Sequence, residues 1–78
     1  MNSGRPIKRS LTLRGHRTSV SLEDAFWRAF REIAAEEGMT INGLATQVDE
    51  TRGDVGLASA LRVFILDRVS RRDTAHRE

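Results

Sequence analysis

The residues from Arg14 to Leu22, Arg-Gly-His-Arg-Thr-Ser-Val-Ser-Leu, hold the groups best suited to chemistry in this 78-residue chain. Arg17, Ser19 and Ser21 fall on one side of a period-two pattern, and Thr18, Val20 and Leu22 on the other. That chemistry is recognition of a polyanion. Twelve of the thirteen cations are arginine, whose guanidinium forks onto phosphates and guanine edges where an ammonium cannot. The net charge of +2 hides an asymmetry: residues 1–22 carry +5 with no acid, residues 23–54 carry −5, and residues 55–78 carry +2. A basic N-terminal side of this kind seeks a negatively charged partner, unless it serves only as a solvated arm.

Other chemistries find less to work with. Without cysteine the chain can form neither disulfides nor thiolate metal sites. His16 and His76 lie far apart with no supporting ligand spacing, so neither a metal nor another cofactor is expected. Ser10, Ser19 and His16 are close in sequence but have no carboxylate nearby. The small fold should also leave little room for a pocket, so no enzyme is expected. The pairs Glu36-Glu37 and Asp49-Glu50 read as solvated acids. The longest apolar run, Val63 to Leu66, is far short of the roughly 20 residues of a membrane span. No membrane association is expected, and the lack of a hydrophobic leader points to the cytoplasm.

The elements that must position these groups follow from periodicity. Residues 1–8 contain Asn2, Ser3, Gly4 and Pro6 and read as a flexible basic arm. Ser10 to Arg14 alternates with Leu11 and Leu13 on one face, and Arg17 to Leu22 alternates again. Gly15 between them is either a hairpin turn or a bulge in one longer strand. A strand this short needs a partner. With the rest of the chain helical, that partner is expected to be the same strand of a second copy. A two-stranded ribbon with arginines on its outer face fits the major groove of DNA.

Ser21 is the candidate N-cap of a first helix, with Asp24 completing a capping box. Phe26, Phe30, Ile33 and Ala34 form its apolar stripe, and Gly38 ends it. Thr40 caps a second helix that carries Ile41, Leu44, Ala45 and Val48 and ends near Thr51. After a charged, Gly-containing break over residues 49–56, a third helix runs from about Leu57 to Arg71. Residues 72–78 read as a loose tail. The single domain therefore spans residues 9–71.

A strand, a helix ending in Gly and a Thr-capped helix together resemble the ribbon-helix-helix superfamily of DNA-binding repressors. Arg9-Ser10, Gly15-His16-Arg17-Thr18-Ser19-Val20, Leu22-Glu23, Phe26-Trp27, Ile33-Ala34, Ile41, Leu44 and Leu57 with Ser59 to Phe64 are similar to its subgroup of bacterial ribbon-helix-helix domain proteins. One departure stands out: the break at residues 49–56 splits into two helices what is one in the minimal pattern. The resemblance implies a mainly α fold with a short N-terminal β-ribbon, an intertwined homodimer and an additional third helix. It also implies a transcriptional regulator, a repressor by analogy, associated with the nucleoid and bound to double-stranded DNA.

On that reading Arg14, His16, Arg17 and Ser19 make the ribbon and turn contacts, with Arg17 forking onto guanine. Arg5, Lys8 and Arg9 form a salt-sensitive arm. The free amides of Thr40, Ile41, Asn42 and Gly43 clamp a phosphate. Val20, Leu22, Phe26, Phe30, Ile33, Leu61, Phe64 and Ile65 make the dimer core. His16 equally suits a plain turn residue, and residues 40–43 an ordinary capped turn. Arg62, Arg68, Arg71 and Arg72 read as a solvated helix face. Two rival roles remain on the same fold: an antitoxin bound to a toxin, and a module binding another regulator without reading DNA.

Overall fold

The computed structural model describes residues 4–76. Strands β1 (Pro6–Leu13) and β2 (His16–Glu23) are followed by helices α1 (Asp24–Glu36), α2 (Ile41–Thr51) and α3 (Leu57–His76). The strands pair antiparallel from Pro6↔Glu23 to Leu13↔His16. Gly15 is therefore a hairpin turn. Arg14 and Gly15 have φ of 52° and 80°, the two positive values that a two-residue type I′ turn requires. This corrects the expectation that the partner strand comes from a second copy: the chain supplies it. It also moves Pro6, Ile7 and Lys8 out of the expected arm and into β1, while residues 1–3 of that arm lie outside the described residues.

Alternation then sorts the hairpin into two faces. Leu11, Val20 and Leu22 point inward and are buried. They join Phe30, Ile33 and Ala34 of α1, Leu44, Ala45 and Val48 of α2, and Leu61 and Ile65 of α3 in one core. Phe30 is its centre, fully buried, with the Phe64 ring edge-on at 6.2 Å and Trp27 at the same distance. Of the residues expected in a dimer core, Val20, Leu22, Phe30, Ile33, Leu61 and Ile65 are buried within one chain, and Phe26 and Phe64 pack half-buried against them. The apolar stripe of α1 therefore finds its partners without a second copy.

The helix ends follow local chemistry. Gly38 (φ 67°) closes α1: its amide donates to the Ala35 carbonyl and the Met39 amide to that of Ala34, the paired bonds of a Schellman motif. Thr40 caps α2, its Oγ1 accepting from the Gly43 amide at 2.9 Å. Ser21 does not cap α1. It stays in β2, and Glu23 holds the N-cap position without a side-chain cap bond. α3 continues five residues past the expected end at Arg71 to His76, so most of the expected tail is helical, and residues 77–78 lie outside the described residues. No described helix is long and apolar enough to cross a membrane.

Candidate nucleic-acid interface

The outer face of the hairpin carries Lys8, Ser10 and Thr12 from β1 opposite Ser21, Ser19 and Arg17 from β2, in that register. All six are exposed and none is apolar. The hydroxyls occupy the middle of this strip, and the two cations stand at diagonally opposite corners. Sequence reasoning found Lys8, Arg17 and Ser19 but omitted Ser10, Thr12 and Ser21. The alternation of Ser10-Leu11-Thr12-Leu13 held the signal, since Leu11 and Leu13 facing inward force Ser10 and Thr12 outward.

The arginines divide by what they touch. Arg9 alternates to the inner face, where its side chain is 18% exposed. Its guanidinium lies 5.2 Å from the centre of the Trp27 ring and donates to Asp24 Oδ1 at 3.3 Å. This is a packing position, and the hairpin does not bring Arg9 together with Lys8 and Arg17. Arg14, at the turn, pairs with Glu50 at the far end of α2, with both side chains about half exposed. His16 sits across from Leu13, exposed, at the turn-proximal end of the inner face.

Six of the eight carboxylates of the acidic middle segment are taken. Asp24 pairs with Arg9 and Arg28, Asp49 with Arg52, and Glu50 with Arg14. Glu36 and Glu37 pair with Arg72 and Arg68. Glu23 pairs with Arg62, which also donates to the Ser21 carbonyl at 3.3 Å and lies 5.8 Å from the Phe26 ring centre. Arg62, Arg68 and Arg72 are thus not a solvated face, and Glu36 and Glu37, expected to be solvated, are the partners of Arg72 and Arg68. Glu23 is held below the usual carboxylate range, chiefly by its own backbone amide and then by Arg62. Four described cations have no side-chain partner: Arg5, Lys8, Arg17 and Arg31. Three of them belong to the hairpin or its approach.

The expected phosphate clamp lies beside the hairpin. Asn42 Oδ1 accepts the Thr12 amide at 3.0 Å, which fastens the start of α2 to the outer edge of β1. Gly43 spends its amide on Thr40, and a Cβ at Gly43 would approach that hydroxyl to 3.0 Å. Asn42 and Gly43 thus have structural duties. A groove of about 820 Å³ lies elsewhere, between the end of α2 and α3. Its charged residues Glu50, Arg52 and Asp67 are tied in ion pairs. No cluster of three potential metal ligands occurs among the described residues.

A ribbon of two antiparallel strands feeding directly into a Gly-terminated helix and a Thr-capped helix is now in view. A family model described as a ribbon-helix-helix domain matches residues 6–69, from the first residue of β1 into α3. The chain belongs to the ribbon-helix-helix family. No curated protein and no solved structure matches it. Ribbon-helix-helix domains typically act as non-enzymatic, DNA-binding modules of regulators and antitoxins, and they generally form dimers. In this ribbon-helix-helix chain, α3 follows the minimal motif and the ribbon is complete within one molecule.

Proposed function

We propose that the protein is a transcriptional regulator, acting as a repressor, whose hairpin enters the major groove of operator DNA outer face first. The observation that supports this is the pairing of charges. Most acids of the helices are paired with arginines, including Arg9 and Arg14 of the hairpin, while Lys8 and Arg17 are left without side-chain partners on a strip of hydroxyls. A two-stranded ribbon has the width of the groove, and Arg17 on its outer face can fork onto guanine O6 and N7. Ser10, Thr12, Ser19 and Ser21 donate to or accept from base edges and phosphates.

Lys8 and Arg5 add attraction to the backbone. Arg14 exchanges its exposed pair with Glu50, worth at most about 1 kcal/mol, for a phosphate near the turn. His16 lies at the same end, and the start of α2 with Thr40 and Ile41 flanks it. Arg9 leaves the arm and becomes a support for Trp27. The regulator works as a homodimer in the cytoplasm.

Selection of the purified protein from a randomised duplex pool at near-physiological salt tests the reading. Enrichment of a short inverted repeat is the expected result. No recovery of DNA would overturn it. A second reading, an antitoxin or another protein-binding module on the same fold, is favoured by one feature: Val63, Leu66 and Val69 of α3 remain exposed. Under that reading Lys8→Ala with Arg17→Ala leaves partner binding intact.

A further inference from the structure

We propose that Lys8 Nζ is an acylation site, at which an acyl phosphate lowers the affinity of the hairpin for DNA. The switch rests on the DNA reading of the preceding section, whereas the acylation itself does not.

Lys8 is the only lysine of the chain, against twelve arginines. The two kinds of cation are not equal as nucleophiles. A guanidinium stays protonated and has no lone pair to offer, while an ammonium exchanges its proton with water and becomes an amine. Lysine is accordingly the cation that acyl donors neutralise. In this chain that chemistry has one side chain to act on, and β1 places it on the outer face of the hairpin.

Its surroundings leave it open. Lys8 is exposed, stands opposite Ser21 in the register and has Ser10 two residues along the same face. Glu23, diagonal to it across the strands, is the acid best placed to hold it, and that carboxylate is bound to Arg62 instead. No ion pair or side-chain hydrogen bond therefore engages the ammonium. Arg9, one residue on, shows the opposite case: it turns inward and is held by Asp24 and Trp27. Arg5 and Arg17 are likewise without side-chain partners, so the hairpin attracts an anionic donor such as an acyl phosphate.

The ammonium first gives one proton to water. The amine lone pair then attacks the acyl carbon, and the C–N bond forms as the C–O bond to the phosphate breaks. The surplus proton on nitrogen leaves with the phosphate. The product is a neutral amide, so Arg17 remains as the one cation among the six residues of the outer strip. Lysine meets a phosphate as a point charge, while Arg17 is the residue that can fork onto a base. Acylation thus weakens binding to every duplex alike and leaves base preference as it was.

Acetyl phosphate is the probe. Wild type and Lys8→Arg would be incubated with it, each beside its own untreated sample, then mapped by peptide mass and titrated with the selected duplex over a salt series. Lys8 of the wild type is expected to carry acetyl. Affinity should fall about tenfold at roughly 0.1 M salt, and the slope of log affinity against log salt by about 0.9 for each chain bound. The circular dichroism spectrum and the ranking of duplexes are expected to stay as they were, since the side chain is exposed. Treated Lys8→Arg is expected to match its untreated sample. Acetyl on the α-amino group with Lys8 unmodified would overturn the site. Acetylated Lys8 with unchanged affinity, in a protein that binds the duplex, would overturn the switch, as would an equal loss in treated Lys8→Arg. An untreated protein that selects no duplex would overturn the DNA reading and the switch with it, while the mass map still decides the site.

Discussion

Arg9 and Arg17 stand on the same hairpin and have opposite fates, because one sits at an inward position of the alternation and the other at an outward one. Arg9 lies against Trp27 and Asp24, with its Nε buried and without a partner. Arg17 is exposed, opposite Thr12, with no partner at all. Burying a guanidinium stem stabilises through packing and cation–π attraction, while the unmatched Nε offsets part of that gain. An exposed arginine contributes little to folding and keeps its full hydrogen-bonding capacity for a ligand. Net charge per segment cannot reveal this difference. The +5 of residues 1–22 counts both arginines alike, though only one faces outward.

The comparison can be broken most forcefully from the inner face. Leu22→Ala removes a fully buried side chain that links β2 to the helices. It should cost about 2–5 kcal/mol of folding stability in chemical denaturation, with the DNA affinity of the remaining folded protein unchanged. On the outer face, Arg17→Ala should cost about 1–3 kcal/mol of binding to the selected duplex and relax preference at one base position. Its melting temperature should stay near that of the wild type. Arg9→Ala is the mirror of this: about 1–2 kcal/mol lost in folding, read by thermal melting, and no change in the salt dependence of DNA binding.

These paired outcomes also mark what could be read without a structure. The positions of Gly38 and Thr40 were legible because capping is local chemistry, settled within a few residues. So was the inward set Leu11, Val20 and Leu22, because period two needs no knowledge of the partner. The partner itself was not legible. Pro6, Ile7 and Lys8 offer only one apolar side chain, too weak a pattern to extend the strand, so β1 looked like an arm. Ser21 looked like a cap because its type and its spacing to Asp24 fit one, yet pairing with Lys8 keeps it in the strand. The ion pairs of Arg62, Arg68 and Arg72 span 31 to 39 residues, and no local spacing encodes them. The outer strip was accordingly half visible, through β2 and not through β1.

Two smaller effects sharpen the contrast between strand and turn. Arg14 holds φ 52°, a conformation that costs a side-chain-bearing residue roughly 1 kcal/mol or more. Arg14→Gly should therefore hold or raise the melting temperature while weakening DNA binding slightly, the signature of a residue retained for a contact. At the other end of β2, Glu23 has its pKa lowered in the folded state by its own amide and by Arg62. Its contribution is complete above the unfolded carboxylate value of about 4.3. It is lost as pH falls from there through the lower folded value. Glu23→Gln should flatten that part of the acid stability profile without altering binding at neutral pH.

The central claim is that the outer face of the hairpin, with its unpartnered cations, is what holds DNA. The direct measurement is affinity for the selected duplex across a salt series, for the wild type and for Lys8→Ala with Arg17→Ala. Loss of both cations should lower affinity and reduce the slope of log affinity against log salt by about 2 for each protein chain bound. An unchanged slope and affinity, in a double variant that melts like the wild type, would place the DNA contact elsewhere and contradict the account.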